Sequence, residues 1–379
     1  MAETVKNQHY VPQCVLCHFS NDKQVYETLV EGKKIYKTNY NRSMSERYTY
    51  EHPLLEQNKL EKFFGDVESD FAPAIKKIVE ILENQDEDEV NQIQNVKQTI
   101  DLYLRAVIIF YYRSGALLHE FSLGNMREKD LRIDYLLEKL SNGSYINALG
   151  KTIKKYYEFT IIKSENNEFL LSDQYLSTAA LSIKSRFLNI SNRHIGLNDV
   201  FILIPISCKY YAVYYHGKKP NYIQKNKINV LTEHQVDEIN KVIINNSYVK
   251  CVGYSKESLE RVLLTFKSQS PASTYTQYKS GALGGATLKK EVFFYEKDQI
   301  AWEMFTEGTF FVNFKDLERN DPCGCKSGKK LKKCCIEPFS IIKGFLGTFS
   351  DEKIHEKIRP HPKAVTEYSV TEFFSKETR

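Results

Sequence analysis

Four cysteines near the C-terminal end carry the most specific chemistry in the chain. Cys323, Cys325, Cys334 and Cys335 form the pattern Cys-x-Cys, eight residues, Cys-Cys, between Asp321-Pro322 and Ile336. Four thiolates so placed can close a tetrahedral shell around a structural zinc ion, with no position left open for a substrate. Ser327-Gly328 supplies the turn between the ligand pairs. Five of the eight intervening residues are lysines: Lys326, Lys329, Lys330, Lys332 and Lys333. Their charge favours the thiolate form and offsets the negative charge of a four-thiolate centre. The other four cysteines are scattered, so the set reads as metal ligands plus isolated thiols rather than a disulfide framework.

Cys14-Val15-Leu16-Cys17-His18 matches the spacing of a c-type haem attachment. No export signal precedes it and no haem-sized apolar domain surrounds it, so the stretch reads more simply as core strand. A second set of polar residues is more suggestive. His9 is a titratable ring beside Asn7, Gln8 and Tyr10, all able to hydrogen-bond. Glu61 and Glu68 lie seven residues apart, about 20° short of two helical turns, which puts both carboxylates on one helix face. Arg113 follows the apolar run Ile108-Ile109-Phe110-Tyr111-Tyr112, and Ser172-Asp173 ends a strand where a loop should begin. Each has a plain structural alternative: a bonded core histidine, a solvated carboxylate face or an ion pair, a turn-capping aspartate.

These residues need elements to hold them. The 379 residues are 42% hydrophobic and 27% charged with a net charge of +5, the composition of an ordinary globular chain of one or two units. The segments Tyr10 to Phe19 and Gln24 to Tyr36 read as extended. Leu54 to Gln85 reads as a helix with one apolar face and a kink or break at Pro73. A helix over Val90 to His119, its apolar part the centre of the body, should precede a shorter one over Glu128 to Leu140. Tyr157–Ile162 and Glu168–Leu171 look like a hairpin, and Val200–Pro205 and Tyr210–Tyr215 like two further strands. Thr232 to Asn246 is a helix opened by a Thr232/Gln235 capping box, followed by a strand at Val249–Val252 and a helix capped by Ser255. Ser268 to Thr287 reads as a mobile loop. The expected fold class is α+β, a helical section between β-rich parts, plus a small C-terminal zinc knuckle.

The knuckle's Ser-Gly-x-Lys-x-x-Lys-Cys-Cys ending resembles the SEC-C motif of the SecA translocation ATPase. It departs from that pattern at Gly324 (commonly Pro), Lys326 (commonly Gly) and Leu331 (commonly aromatic). Asn7-Gln8-His9-Tyr10-Val11-Pro12-Gln13 resembles the opening signature of family 4238 of the domains of unknown function. Leu60-Glu61-Lys62 with Glu68-Ser69, Phe169 to Asp173, Ile204 to Ser207 and Asp237 to Asn240 are similar to its later motifs. The similarity spans residues 7 to 253 and implies a domain identity without a mechanism. The expected organisation is a body over 1–318, a knuckle over 319–337 and a tail over 338–379 containing Phe345, Phe373 and Phe374.

Two functions follow from this reading. In the first, the body is a nuclease-like phosphodiesterase effector of bacterial defence or toxicity. His9 would be its acid/base, Asp173 and Glu61 or Glu68 would orient His9 or hold a divalent ion, and Arg113 would meet phosphate. In the second, the body is a scaffold and the knuckle docks nucleic acid, ribosome or protein through its lysines. No apolar run reaches the roughly 20 residues that span a bilayer, and the opening residues read as no signal peptide. A cytoplasmic protein without membrane association is expected.

Overall fold

The computed structural model describes residues 7–115, 133, 134, 136, 137, 140, 143–183, 195, 199–266, 272–277, 283–289 and 291–349. The chain begins with β1 (Asn7–His9), a single helical turn α1 (Gln13–Leu16) and a 3₁₀ turn (Cys17–Phe19). Strands β2 (Gln24–Leu29), β3 (Lys34–Asn39) and β4 (Ser45–Arg47) follow, β4 pairing back antiparallel on β1. The extended stretch expected over Tyr10 to Phe19 is therefore helical. Its apolar residues Val11, Val15, Leu16 and Phe19 are spaced for one helix face and all are buried. Pro12 opens the turn, its carbonyl accepting the amides of Val15 and Leu16 at 3.1 and 3.0 Å.

Helix α2 (Lys59–Glu83) runs unbroken through Pro73, and its apolar stripe from Leu60 to Leu82 faces the core. Pro73 and Ser69 are both exposed, so the carbonyl that the missing N–H leaves without a partner can reach water. The single helix expected from Val90 to His119 is two: α3 (Glu89–Leu102), capped by Asp88, and α4 (Leu104–Tyr112), separated at Tyr103. Every residue of α4 but Arg105 is buried, which makes it the centre of the body. Residues 116–119 lie outside the described residues. So does most of 128–140, although 133, 134, 136, 137 and 140 are helical. Helix α5 (Gly143–Tyr156), with Lys154 and Lys155 in its last turn, had no sequence counterpart.

β5 (Glu158–Ser164), β6 (Leu171–Ser172), β7 (Ser177–Ala180), β8 (Val200–Pro205), β9 (Tyr210–His216), β10 (Ile228–Leu231) and β11 (Lys250–Gly253) divide between two sheets. One has the order β10-β5-β9-β8-β7, with only β10 and β5 parallel. The other has the order β3-β2-β11-β6. The expected hairpin of 157–171 is thus not formed: β5 pairs with β9 and β10, and β6 with β11. The hairpin of β8 and β9 forms. Helix α6 (Glu233–Asn246) has its full capping box, and α7 (Lys256–Thr265) its Ser255 cap. The expected loop of 268–287 contains two paired antiparallel strands, β12 (Ala272–Gln277) and β13 (Leu283–Lys289).

Three helices complete the described chain: α8 (Glu296–Thr306), α9 (Thr309–Asn313) and α10 (Ile336–Phe349). They build a second apolar cluster, with Trp302, Phe310, Phe314, Phe339 and Ile342 buried beside Leu331 and Cys323. Ala180 and Ile183 of the main chain body join the same cluster. Of the tail's aromatic residues, Phe373 and Phe374 lie outside the described residues. The architecture is mixed α and β, with a cysteine cluster at the C-terminal end.

Candidate functional site

Four of the five polar candidates converge. β1 delivers His9, α2 delivers Glu61 and Glu68, and the end of α4 delivers Arg113. Arg113 is 2% exposed, and its Nη2 donates to Glu68 Oε2 at 3.1 Å. Its guanidinium carbon sits 5.3 Å from the Phe64 ring centre and 5.0 Å from that of Phe110, a stacked placement that suits a weakly hydrated planar cation. The other oxygen of Glu68 accepts the Cys14 amide at 3.0 Å, one of the amides a helix start leaves without an intrahelical partner. The Tyr50 hydroxyl donates to the Arg113 carbonyl at 2.6 Å, closing the group toward the N-terminal segment.

His9 is already fully engaged. It lies 8% exposed, with Nε2 3.1 Å from the Asn41 carbonyl oxygen and Nδ1 3.0 Å from Gln13 Nε2. A neutral ring with its proton on Nε2 donates to Asn41 and accepts from Gln13. Burial lowers its pKa; the negative charge of Glu68 pulls it back up and Arg113 pushes it further down. Glu61 behaves differently. Burial pushes its carboxyl from the usual 4.5 to about 7, Arg113 opposing and Glu68 and Glu51 adding to the rise. Its Oε2 is buried and has no hydrogen-bond partner among the described residues, and the same holds for Arg113 Nε and the Tyr175 hydroxyl. Tyr175 is buried against Phe110 at 5.6 Å, and the charges of Arg113 and Glu68 reach it.

Asp173 does not share this arrangement. Its carboxylate accepts the backbone amides of Tyr248 at 3.1 Å, Val249 at 2.8 Å and Lys250 at 2.9 Å, and so ties the end of β6 to the start of β11. Among the described residues, the cysteines alone bring three or more metal-ligating atoms together. The sequence reading missed Gln13, Tyr50 and Tyr175. Gln13 opens α1 while His9 ends β1, so no regular spacing joins the pair and only the turn at Pro12 brings them together.

The ligand atoms of Cys323, Cys325, Cys334 and Cys335 all lie within 4.8 Å of one another. Sulfur separations are 3.4 Å for Cys323–Cys325, 3.4 Å for Cys325–Cys334 and 3.7 Å for Cys334–Cys335. A tetrahedral centre with metal–sulfur bonds of about 2.3 Å has edges of about 3.8 Å, so the four thiols fit such a metal closely. The loop is built by its own backbone. The Cys323 amide donates to Lys329 at 2.8 Å, the Leu331 amide to Asp321 at 2.8 Å, and Lys326 and Gly328 take positive φ at the turn. The Ser327 hydroxyl draws the Cys325 thiol down to about 6, while burial pushes Cys323 up. Gly324 presses against the carbonyl of Asn313 at the end of α9, where any Cβ would overlap that oxygen. This accounts for glycine at a position where the motif commonly has proline. Cys14 and Cys17 belong to the helical turns near α2; burial raises both thiols, and Cys17 Sγ donates to the Cys14 carbonyl at 3.3 Å.

Residues 319–337 match the SEC-C motif, and residues 7–258 match the family described as Protein of unknown function (DUF4238). No curated protein and no solved structure matches the chain. The chain belongs to the DUF4238 family and carries a SEC-C motif behind the family's domain.

Proposed function

We propose that this chain is a zinc-dependent docking protein: the knuckle, loaded with zinc, binds a polyanion such as nucleic acid or the ribosome, and the body is its scaffold. One observation carries the reading. Lys326, Lys329, Lys330, Lys332 and Lys333 are all exposed, and none forms an ion pair with a described residue. Exposed lysines that answer no charge among the described residues can displace counterions from a phosphate backbone. Zinc would be held by Cys323, Cys325, Cys334 and Cys335, where it supplies a cross-link and no reactive position. The division into a body over 1–318, a knuckle over 319–337 and a tail over 338–379 is part of this reading, as is a cytoplasmic location.

Fluorescence anisotropy with labelled RNA tests it. Affinity should fall steeply with salt, and Lys330→Gln with Lys332→Gln should reduce the logarithmic salt slope by about 0.7–0.9 for each phosphate left unneutralised. Salt-independent binding, or none at low salt, rejects docking by this surface.

A second reading is favoured by the convergence of His9, Glu61, Glu68 and Arg113: the body is a hydrolase of bacterial defence or toxicity. In that case Glu61 is the better acid/base, because a carboxyl near pH 7 with a free oxygen suits proton transfer and His9 has both nitrogens engaged. Phosphodiester cleavage is the form this charge balance supports least, since one arginine already paired with Glu68 offers little to an anion. Phosphodiesterase and RNA-cleavage assays of Glu61→Gln, with growth measured after induction, decide it; equal activity in the variant removes Glu61 from any mechanism.

A further inference from the structure

The surface beside the knuckle adds a feature that charge alone does not explain. Helix α9 buries Phe310 in the second apolar cluster but leaves Phe311 47% exposed and Val312 82% exposed. Phe311 is not a loose side chain. Its ring centre lies 5.6 Å from that of Phe305 and 5.6 Å from that of Phe310, at 89° to the latter. It is therefore held from behind by two rings while part of it faces solvent. The end of the same helix is fixed to the metal loop, because the Asn313 carbonyl packs on Gly324 between the ligands Cys323 and Cys325. An exposed aromatic and the lysine loop thus share one rigid support. Between Phe311 and Cys335 the chain carries seven basic and three acidic side chains, an excess larger than the negative charge of a zinc–thiolate centre.

We propose that this helix–knuckle surface binds single-stranded nucleic acid, Phe311 stacking an unpaired base while the knuckle lysines contact the phosphates. The inference rests on the docking function above and narrows it. A preformed aromatic platform gains nothing from a duplex, whose bases are already stacked inside, whereas every unpaired base has a face to offer. An acidic peptide would satisfy the lysines but has no flat partner for the ring.

The test uses the full-length zinc-loaded protein with a labelled oligouridylate, the matching RNA duplex and polyglutamate. Binding to oligouridylate should exceed binding to the duplex. Phe311→Ala should weaken the single strand about tenfold and leave the duplex unchanged, and Phe311→Trp should restore or improve it. Zinc content and the melting curve of each variant show that the surface is still folded; if Phe311→Ala loses zinc, Phe311→Trp and Phe311→Leu carry the comparison instead, Leu binding the single strand more weakly. Salt-sensitive binding that ignores Phe311 and strandedness, or equal capture of polyglutamate, overturns the stacking site and leaves docking standing. No binding to any of the three at low salt overturns both.

Discussion

The body and the knuckle each gather charged side chains, and they treat them in opposite ways. Around Arg113 the charges are turned inward: the guanidinium lies over two aromatic rings and on Glu68, while His9 is bonded at both ring nitrogens. In the knuckle the lysines are turned outward, and the fold consumes the thiols and the backbone instead. A buried charge is costly unless its partners are in place, so the body's cluster is bound up with stability. An exposed lysine costs the fold almost nothing and is free to serve a partner. The presence of a charge is thus a poor guide to its use; what matters is whether the fold has already answered it.

The largest effects should come from breaking the body's answered charges. Asp173→Ala leaves three amides around β11 without their acceptor, at about 1–3 kcal/mol each for groups that stay buried. Urea unfolding should show a loss of at least about 3 kcal/mol, enough to unfold a marginal domain. Arg113→Met strands the Glu68 carboxylate and should cost about 3 kcal/mol. Lys330→Gln should stay within about 0.5 kcal/mol of the wild type. Equal losses from the body and knuckle variants would erase the distinction.

Metal removal should act on the other region. Chelation, or Cys334→Ser, should loosen the second apolar cluster because Cys323 and Leu331 are built into it. The chain's single tryptophan, Trp302, lies buried in that cluster and reports on it alone. Its emission should shift to the red while the main melting transition is retained. An unmoved tryptophan in metal-free protein would show that the cluster holds without the knuckle, and a lost main transition would show that the two cores are one cooperative unit.

The knuckle was legible in the sequence because its ligands lie within thirteen residues and their spacing alone implies their geometry. The α6 helix was legible for a similar reason, its Thr232 and Gln235 capping each other three residues apart. The Arg113 cluster was not legible as a cluster. Apart from Glu61 and Glu68, which share one face of α2, its members are separated by tens of residues, and only the packing of α1, α2 and α4 joins them. The run at 157–162 is a strand, whereas of 168–171 only Leu171 enters one, and the two form no hairpin because β5 and β6 find partners in different sheets far along the chain. Asp173 at a strand end looked like a site residue, since sequence cannot show that three amides from the α6–β11 junction would reach it.

A smaller effect separates Glu61 from its paired neighbour. Its folded pKa of about 7 exceeds the ordinary 4.5, so between those values the native state binds more protons than the unfolded one. Stability from this group therefore falls as pH rises from about 4.5 to 7 and is level above that. Glu61→Gln keeps the shape and removes the penalty. It should gain on the order of 1–2 kcal/mol at pH 8, with partial exposure allowed for, and nothing near pH 4. A gain that does not vary with pH would mean that Glu61 titrates alike in the folded and unfolded chains.

The smallest effect sets one glycine in each region against the other. Gly324 has a reason to lack a side chain, since a Cβ there meets the Asn313 carbonyl; Gly324→Ala should weaken zinc retention. Gly65 has no such reason. It lies inside α2, on the face between Glu61 and Glu68, and a Cβ would find nothing within 4 Å. A glycine inside a helix costs about 0.5–1 kcal/mol relative to alanine through the entropy of the unfolded chain. If the body is only a scaffold, Gly65→Ala should stabilise it by that amount and change nothing else, as thermal melts and RNA binding would show. If the body instead admits a substrate between the two carboxylates, the methyl group and larger replacements such as Gly65→Leu would obstruct it. Activity in a hydrolase assay would then fall along Gly, Ala, Leu while the melting temperature rose from Gly to Ala. Stability gained without such a loss keeps the function in the knuckle; stability gained at the expense of activity moves it to the body.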